Sequence, residues 1–384
     1  MADQTLRIGF VGAGAINRTR HVPGLKKVGG VEFEVVANRS QASSQAAADE
    51  YGIKRTAGNW MEVVEDKNVD IVWIGTHPSM HREITIAALE AGKHVFTQAR
   101  MAMDYADAKL MWEAAKKYPN LTCNISAPPH YMRGDKVIRR MLAEGYVGQP
   151  LNIVVQSYAD GYADPKAPRH WRQEGEVSGI NTLDVGMMIE VMHRWLGYAK
   201  KVTALDKTIY TSRPAPDGSG DVPVERPDTL SVVADMENGA LATMLFSGVA
   251  RHAKEANRFE IYGSDGTIRY LQASDTVLAG KAGDAELKPL EISGADAREW
   301  TVEADFINAV RSGKRATEPS FWDGLKYMEM TEAIFRACAL GRAVDLPFDD
   351  LLRDDGGAPA LDLANLPPVP PILNKVGHQG SEAV

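Results

Sequence analysis

Leu6-Arg7-Ile8-Gly9-Phe10-Val11-Gly12-Ala13-Gly14-Ala15-Ile16-Asn17 is the stretch on which the fold turns. A short apolar run, LRIGFV, leads into two glycines one residue apart, and a helical pattern follows. The first glycine allows a tight turn, the second lets the backbone approach a pyrophosphate, and the amino end of the helix stabilises the anion. The third glycine position of the usual fingerprint holds Asn17. A structural turn would use glycines in the same way. The strand before, the helix after and a second strand about twenty residues on favour a dinucleotide. Gly12, Ala13, Gly14, Ala15, Ile16 and Asn17 are therefore the expected phosphate contacts.

The second strand, VEFEVVA, ends at Ala37-Asn38-Arg39-Ser40. An acidic residue there would bind a ribose 2′-hydroxyl and repel a 2′-phosphate. Asn38 removes that repulsion, while Arg39 and Ser40 offer charge and hydrogen bonds to a phosphate. NADP is the expected cofactor. Arg39 lying over the adenine would serve NAD equally well, which keeps NAD as the alternative.

Around this loop, residues 5–126 alternate apolar runs with helical patterns. VDIVWIG, KHVFT and NLTCNIS are mostly non-alternating, as strands of a parallel sheet covered on both faces should be. Ser40, Asn59, Ser79 and Asp104 stand where helix caps are expected, and Gly52 and Gly92 where helices stop. Strand–helix alternation at this rhythm predicts a Rossmann-type α/β domain. From about residue 150 the style changes to strand after strand, with Asn238-Gly239 as a type I′ hairpin signal. SGINTLDVGMMIEVMHRWLG reads as one helix ended by Gly197, and two more helices follow, TVEADFINAVRSG and DGLKYMEMTEAIFRACALG. The expected division is a dinucleotide-binding domain at 1–128, an α+β domain with a large open, mainly antiparallel sheet at 129–353, and a Pro-rich arm at 354–384.

Composition narrows the functions. With 43 Lys+Arg against 51 Asp+Glu the formal charge is −8, which argues against broad nucleic-acid or anionic-membrane binding. It leaves room for one local anion site. Two cysteines, Cys123 and Cys338, cannot build a disulfide framework or a cysteine-rich zinc site and suit a reducing compartment. The amino terminus has no secretory pattern, and no run approaches the ~18 apolar residues of a membrane span. A cytoplasmic protein is expected. No metal-ligand spacing and no G-x-S-x-G elbow is present.

Several ordered segments resemble the Gfo/Idh/MocA oxidoreductases, the glucose–fructose oxidoreductase and inositol dehydrogenase family, over residues 5–348. After G-x-G-x-I come His21, Pro23 and Leu25. Thr76-His77-Pro78-Ser79-Met80-His81 is similar to the family's T-P-N-x-x-H turn, and Ala88–Val95, Trp171-Arg172, Asp184-Val185-Gly186 and Phe306–Gly313 match further segments. The resemblance implies NAD(P)-dependent hydride transfer on a sugar or polyol, and homo-oligomers (dimer or tetramer) joined through the second sheet. It places Thr76, His77, Pro78, His81 and Gln98 beside the cofactor.

Two departures touch the chemistry. The family's E-K-P is Gln98-Ala99-Arg100 here, so the lysine position is Ala99. Its D-x-G-x-H histidine is Met188, although Asp184 remains. Hydride transfer from an alcohol still requires a group to take the hydroxyl proton. Asp184 is a candidate base, or an orienter of a hydroxyl; a helix-capping or salt-bridging aspartate is the plainer alternative. Asn181 and Met188, three and four residues away, should share its helical face. Arg100 can bind or polarise an oxygen but shuttles protons poorly, and it can equally face the surface or a ribose. His170, beside Trp171 and Arg172, and His130 in APPHYMRG are further candidates, a base and a substrate contact; either could be an ordinary loop histidine. Glu190 and Arg194 are spaced as a structural ion pair.

The expected function is NAD(P)-dependent hydride transfer on a sugar or polyol. Asp184, His170 and Arg100 act at the reacting centre, and His130, Trp171, Arg172, Asn181 and Met188 line the substrate site. Two alternatives stand beside it: a glycosidase or lyase working by transient sugar oxidation on a retained cofactor, and a catalytically silent nucleotide-binding regulator.

Overall fold

The computed structural model describes residues 5–126, 132–253, 256–314 and 318–348. The expected Pro-rich arm lies outside them. The first sheet is built from β1 (Leu6–Val11), β2 (Val31–Ala37), β3 (Arg55–Thr56), β4 (Ile71–Ile74), β5 (His94–Thr97) and β6 (Cys123–Ile125). Its strand order is 3-2-1-4-5-6 and every pairing is parallel. All four residues of β4 are buried, as the non-alternating run requires of a strand covered on both faces. Between the strands lie α1 (Val22–Val28), α2 (Gln41–Tyr51), α3 (Trp60–Val64), α4 (His81–Glu90) and α5 (Tyr105–Lys117). Ser40, Asn59 and Asp104 each accept from a backbone N–H three residues on and so cap α2, α3 and α5. Ser79 caps nothing: Pro78–Met80 forms a 3-10 turn, and α4 starts without a side-chain cap.

After α6 (Asp135–Ala143) and β7 (Pro150–Tyr158) the chain builds the second sheet. Further elements, in chain order, are α7 (Gly175–Ser178), α8 (Val185–Leu196), β8 (Ala199–Lys207), β9 (Ser212–Pro214), β10 (Asp221–Pro223), β11 (Thr229–Met236), β12 (Leu241–Ser247) and β13 (Arg258–Gly263). Then follow β14 (Gly266–Leu271), β15 (Thr276–Lys281), β16 (Lys288–Pro289), α9 (Val302–Arg311), α10 (Phe321–Leu340) and β17 (Val344–Asp345). Nine strands are ordered 16-15-14-13-7-12-11-8-17, antiparallel throughout except between β7 and β12. β11 alternates buried and outward residues, which places Val232 against the helices and Val233 on the opposite face.

Three local expectations are corrected. The expected long helix from Ser178 is interrupted, because Gly179 and Leu183 take positive φ (62° and 46°), and α8 starts only at Val185. The Asn238-Gly239 hairpin is present, but only Gly239 has positive φ (88°). A turn closed by Gly239 N–H on the Met236 carbonyl (3.0 Å) therefore replaces type I′. Finally, α9 returns to the first layer, where Val302, Phe306, Ile307 and Val310 join the core around Phe10 and Trp73. The long α10 packs on α5, α8 and β8, so one helix ties both layers together.

Candidate active site

At the end of β1, Gly12 has φ +79°, and a Cβ there would lie 2.8 Å from the Thr76 backbone nitrogen. Only glycine fits this crossing of two loops. Gly14 differs: a Cβ on it would meet nothing within 4 Å, and Gly14, Ala15 and Ile16 are exposed at the mouth of the first helix. That open space before a helix amino end, backed by glycine backbone, fits a pyrophosphate. Asn17 is fully buried, and its Nδ2 donates to the Gly12 carbonyl (3.0 Å). It braces the loop from behind. Asn38 Oδ1 accepts from Ala13 N (2.7 Å) and its Nδ2 donates to the Ser43 carbonyl (2.8 Å), tying the loop to α2. Arg39 is exposed and forms no ion pair among the described residues.

Two further loops close the groove. His81, the first residue of α4, is buried between the loops that follow β4 and β5, with Nδ1 3.0 Å from the Arg100 carbonyl and Nε2 3.0 Å from the Thr76 carbonyl. Burial lowers its pKa, so the neutral ring holds one of these carbonyls at a time. The 98–103 loop is also clamped by Tyr327, whose hydroxyl accepts from Met101 N (2.5 Å), and by Asn181, whose Nδ2 donates to the Ala102 carbonyl (2.8 Å). Gln98 is buried and hydrogen-bonds His21, which pairs with Glu303 at 2.5 Å inside a box of Trp73, Phe96 and Trp300 rings. Thr76 Oγ1 lies buried with no partner among the described residues.

The clamped loop aims Arg100 across the interface between the layers. Its guanidinium donates to the Leu183 carbonyl and meets Asp184 Oδ1 at 3.4 Å, while its buried Nε has no partner. Asp184 stands immediately before α8 with its side chain 55% exposed, and Ser157 at the end of β7 donates to its second oxygen (3.3 Å). Ala99 occupies the position of the usual lysine and is half-buried, and Met188 is packed in the core one turn along α8. Asn181, expected on the helical face of Asp184, precedes the helix. Its amide is spent on the Ala102 and Ser178 carbonyls, and its Oδ1 is buried without a partner.

From the second layer Trp171 stacks on His77 with ring centroids 4.5 Å apart, and the Arg172 guanidinium lies 4.4 Å over the Trp171 ring. The stack joins the 76–81 turn to the second layer. Burial, followed by the charge of Arg100, pushes Arg172 down to about 10, and it has no ion pair among the described residues. His170 Nδ1 accepts from Arg172 N (3.1 Å), a cap that leaves only Nε2 for other work. Burial and the Arg172 charge lower the pKa of both His170 and His77. His130 lies outside the described residues.

The family described as "Oxidoreductase family, NAD-binding Rossmann fold" matches residues 6–124, and the "GFO/IDH/MocA C-terminal domain" matches residues 136–269. The chain belongs to the Gfo/Idh/MocA oxidoreductase family. It is 27% identical over 351 residues to a levoglucosan dehydrogenase of Pseudarthrobacter phenanthrenivorans, covering 82% of this chain and 89% of that protein. A 1,5-anhydro-D-fructose reductase of Ensifer adhaerens is 26% identical over 351 residues, 88% of this chain and 98% of that protein. A solved levoglucosan dehydrogenase, in complex with NADH and L-sorbose, superposes with TM-score 0.81 over 89% of this chain and 99% of its own, at 24% identity. The fold expected from the sequence is that of this family.

Within this Gfo/Idh/MocA chain, sequence reasoning passed over Ser157, Tyr162 and Tyr327. No local pattern marks them, because their partners come from positions remote in sequence. Glu190 and Arg194 approach to 3.5 Å as expected, but Arg194 also pairs with the buried Asp135 at 2.9 Å. Among the described residues no group of three or more His, Cys, Asp or Glu could hold a metal ion, and no helix is long and apolar enough to cross a membrane.

Proposed function

We propose that the protein exchanges hydride between a nicotinamide dinucleotide and a carbinol or carbonyl carbon of a sugar or polyol. The observation that carries this reading is the meeting of Arg100, from the loop after β5, with Asp184 at the start of α8, at 3.4 Å. The bound dinucleotide would supply the hydride acceptor or donor. Gly12 to Ile16 would hold its pyrophosphate, with Asn17 and Asn38 bracing that loop; Thr76, His77 and Pro78 would line the nicotinamide side, and the buried His81 and Gln98 would hold the loops around it. Arg39 and Ser40 favour NADP, because an exposed, unpaired guanidinium beside the amino end of α2 suits a 2′-phosphate.

On the substrate side Trp171 presents an apolar face and Arg172 hydrogen-bond donors, the pairing that sugars need. Arg100 polarises or binds the reacting oxygen. Asp184, exposed and hydrogen-bonded by Ser157, orients the reacting hydroxyl, and His170 Nε2 remains able to hydrogen-bond it as well. Met188 and Asn181 shape the floor. The subunits associate through the outer face of the nine-stranded sheet, where Leu205, Val233 and Leu241 are exposed. The reading is tested by following absorbance near 340 nm with NAD⁺ and NADP⁺ over a panel of sugars and polyols. Net cofactor reduction is expected. Product formed with catalytic cofactor and no net reduction would replace this reading by the elimination route. Tight dinucleotide binding with no turnover would replace it by the regulator.

A further inference from the structure

The family's lysine and histidine positions hold Ala99 and Met188, neither of which exchanges a proton. The loop from β7 to α7 carries an ionisable group that neither motif contains. Tyr162 N donates to the Gly248 carbonyl (2.8 Å), and the Tyr162 ring lies so close to Gly248 that any Cβ there would overlap it. The side chain of Leu183, whose carbonyl anchors Arg100, borders the same glycine, 3.0 Å from where a Cβ on Gly248 would lie. Tyr162 therefore stands beside the Leu183–Asp184 corner, where Arg100 arrives from the other layer.

The backbone around Tyr162 is unusually well held. Buried Arg213 donates to the Tyr162 carbonyl and to the Asp164 carbonyl (2.6 Å), and Arg251 donates to the Ala163 carbonyl (2.6 Å). The Arg213 guanidinium also lies 5.9 Å over the Tyr162 ring, and the His170 ring centroid is 6.1 Å away. Two arginines spent on loop carbonyls and a ring face hold the segment that carries the phenol. Its hydroxyl has no hydrogen-bond partner among the described residues, although the side chain is half-buried. A half-buried phenol whose hydroxyl is not taken up by the protein leaves that hydroxyl free to hydrogen-bond a ligand.

We infer that Tyr162 carries the proton of the reacting oxygen, in place of the lysine and histidine that this chain lacks. The inference rests on the sugar or polyol reading above. In the reducing direction a bound reduced nicotinamide would supply hydride, a proton with its two electrons, to the carbonyl carbon. The Tyr162 O–H bond then breaks and its proton goes to the carbonyl oxygen. The phenolate left behind is held by the nearby guanidinium groups and takes a proton back from water. Oxidation runs the same steps in reverse and needs the phenolate. Burial raises the Tyr162 pKa, the charges of Arg172, Arg100 and Arg213 oppose that rise, and Asp184 adds to it. The resting group is a protonated phenol, ready to donate. The cation cluster lowers the cost of forming the anion.

Tyr162→Phe keeps the ring and its packing, so it removes the proton and little else. Three readouts test it: kcat against KM with an active sugar or polyol, dinucleotide affinity by fluorescence titration, and ¹³C-tyrosine NMR with the Tyr162 resonance assigned by its loss in the variant. Expected are a fall in kcat of about 100-fold or more, dinucleotide affinity within about threefold of wild type, and loss of the alkaline rise of the oxidation rate with pH. The Tyr162 resonance should move when oxidised dinucleotide and polyol are added. Active wild type with a Tyr162→Phe variant of equal kcat overturns the inference. If no sugar or polyol is turned over by wild type, the underlying reading fails on that arm. The resonance then decides the role of Tyr162, and a signal unmoved by dinucleotide together with polyol overturns it.

Discussion

A methyl group added at Gly14 meets nothing within 4 Å, whereas one added at Gly75 would overlap the Gly12 carbonyl and the Asn17 amide. The two alanine variants therefore separate binding from folding. Gly14 does not take positive φ, so alanine fits its backbone. Removing conformational freedom from the unfolded chain should leave stability unchanged or raised by about 0.4–1 kcal/mol. The open space is where a pyrophosphate has to approach the backbone, and a methyl group there blocks it. Dinucleotide affinity should fall at least about tenfold, which is about 1.4 kcal/mol. In Gly75→Ala the Gly12–Asn17 hydrogen bond of 3.0 Å is pushed apart at the fully buried Asn17 side chain. One broken neutral bond plus a stranded buried donor costs roughly 2–4 kcal/mol of stability. Thermal unfolding by circular dichroism and fluorescence titration with NAD⁺ and NADP⁺ read both effects. A Gly14→Ala variant that binds as tightly as wild type would refute the placement of the phosphates.

Asp184→Asn should lower kcat by about 10²-fold with little change in dinucleotide affinity; a loss under about threefold removes Asp184 from the reacting centre. Glu303→Ala breaks the buried pair with His21 and should cost roughly 3–5 kcal/mol of unfolding free energy; urea midpoints at matched m-values check this. Burial pushes Glu190 up to about 7 from 4.5. The folded carboxyl thus keeps its proton more tightly than the unfolded one, a contribution that is full below about 4.5 and is lost as pH rises to about 7. Its size is on the order of 3 kcal/mol. Glu190→Gln should flatten the stability curve across that window and be the more stable form above it; an unchanged pH slope would show that Glu190 does not titrate there. Asn38→Asp puts a carboxylate where a 2′-phosphate would lie. It should shift the ratio of NADP to NAD affinity toward NAD by tenfold or more, as paired titrations would show.

The parallel sheet was legible because its strands advertise themselves: LRIGFV and VDIVWIG are continuous apolar runs, and glycines sit where only glycine fits. The caps Ser40, Asn59 and Asp104 were equally legible, since a cap depends on neighbours three residues away. Where reading failed, the determinant was remote. Gly179 and Leu183 break an otherwise helical pattern because Gly179 packs so tightly on the Met103 backbone that a Cβ would overlap it. Nothing near Gly179 in the sequence signals that contact. Asn181 reads as a helix-face residue, but its amide holds the Ala102 carbonyl 79 residues away. Tyr162 has no motif at all. Its surroundings come from residues 100, 172, 184, 213 and 248, which only the folded chain gathers. The fold therefore follows from local periodicity, while the chemistry depends on how the loops between strands meet.

Incubation with nicotinamide dinucleotide carrying deuterium at C4 of the reduced ring, together with carbonyl sugars, tests hydride exchange most directly. Mass spectrometry of the product should show one deuterium bound to the newly formed carbinol carbon, and Tyr162→Phe and Asp184→Asn should each suppress its appearance. Product lacking deuterium, or no labelled product from any carbonyl sugar despite tight dinucleotide binding, would contradict the account.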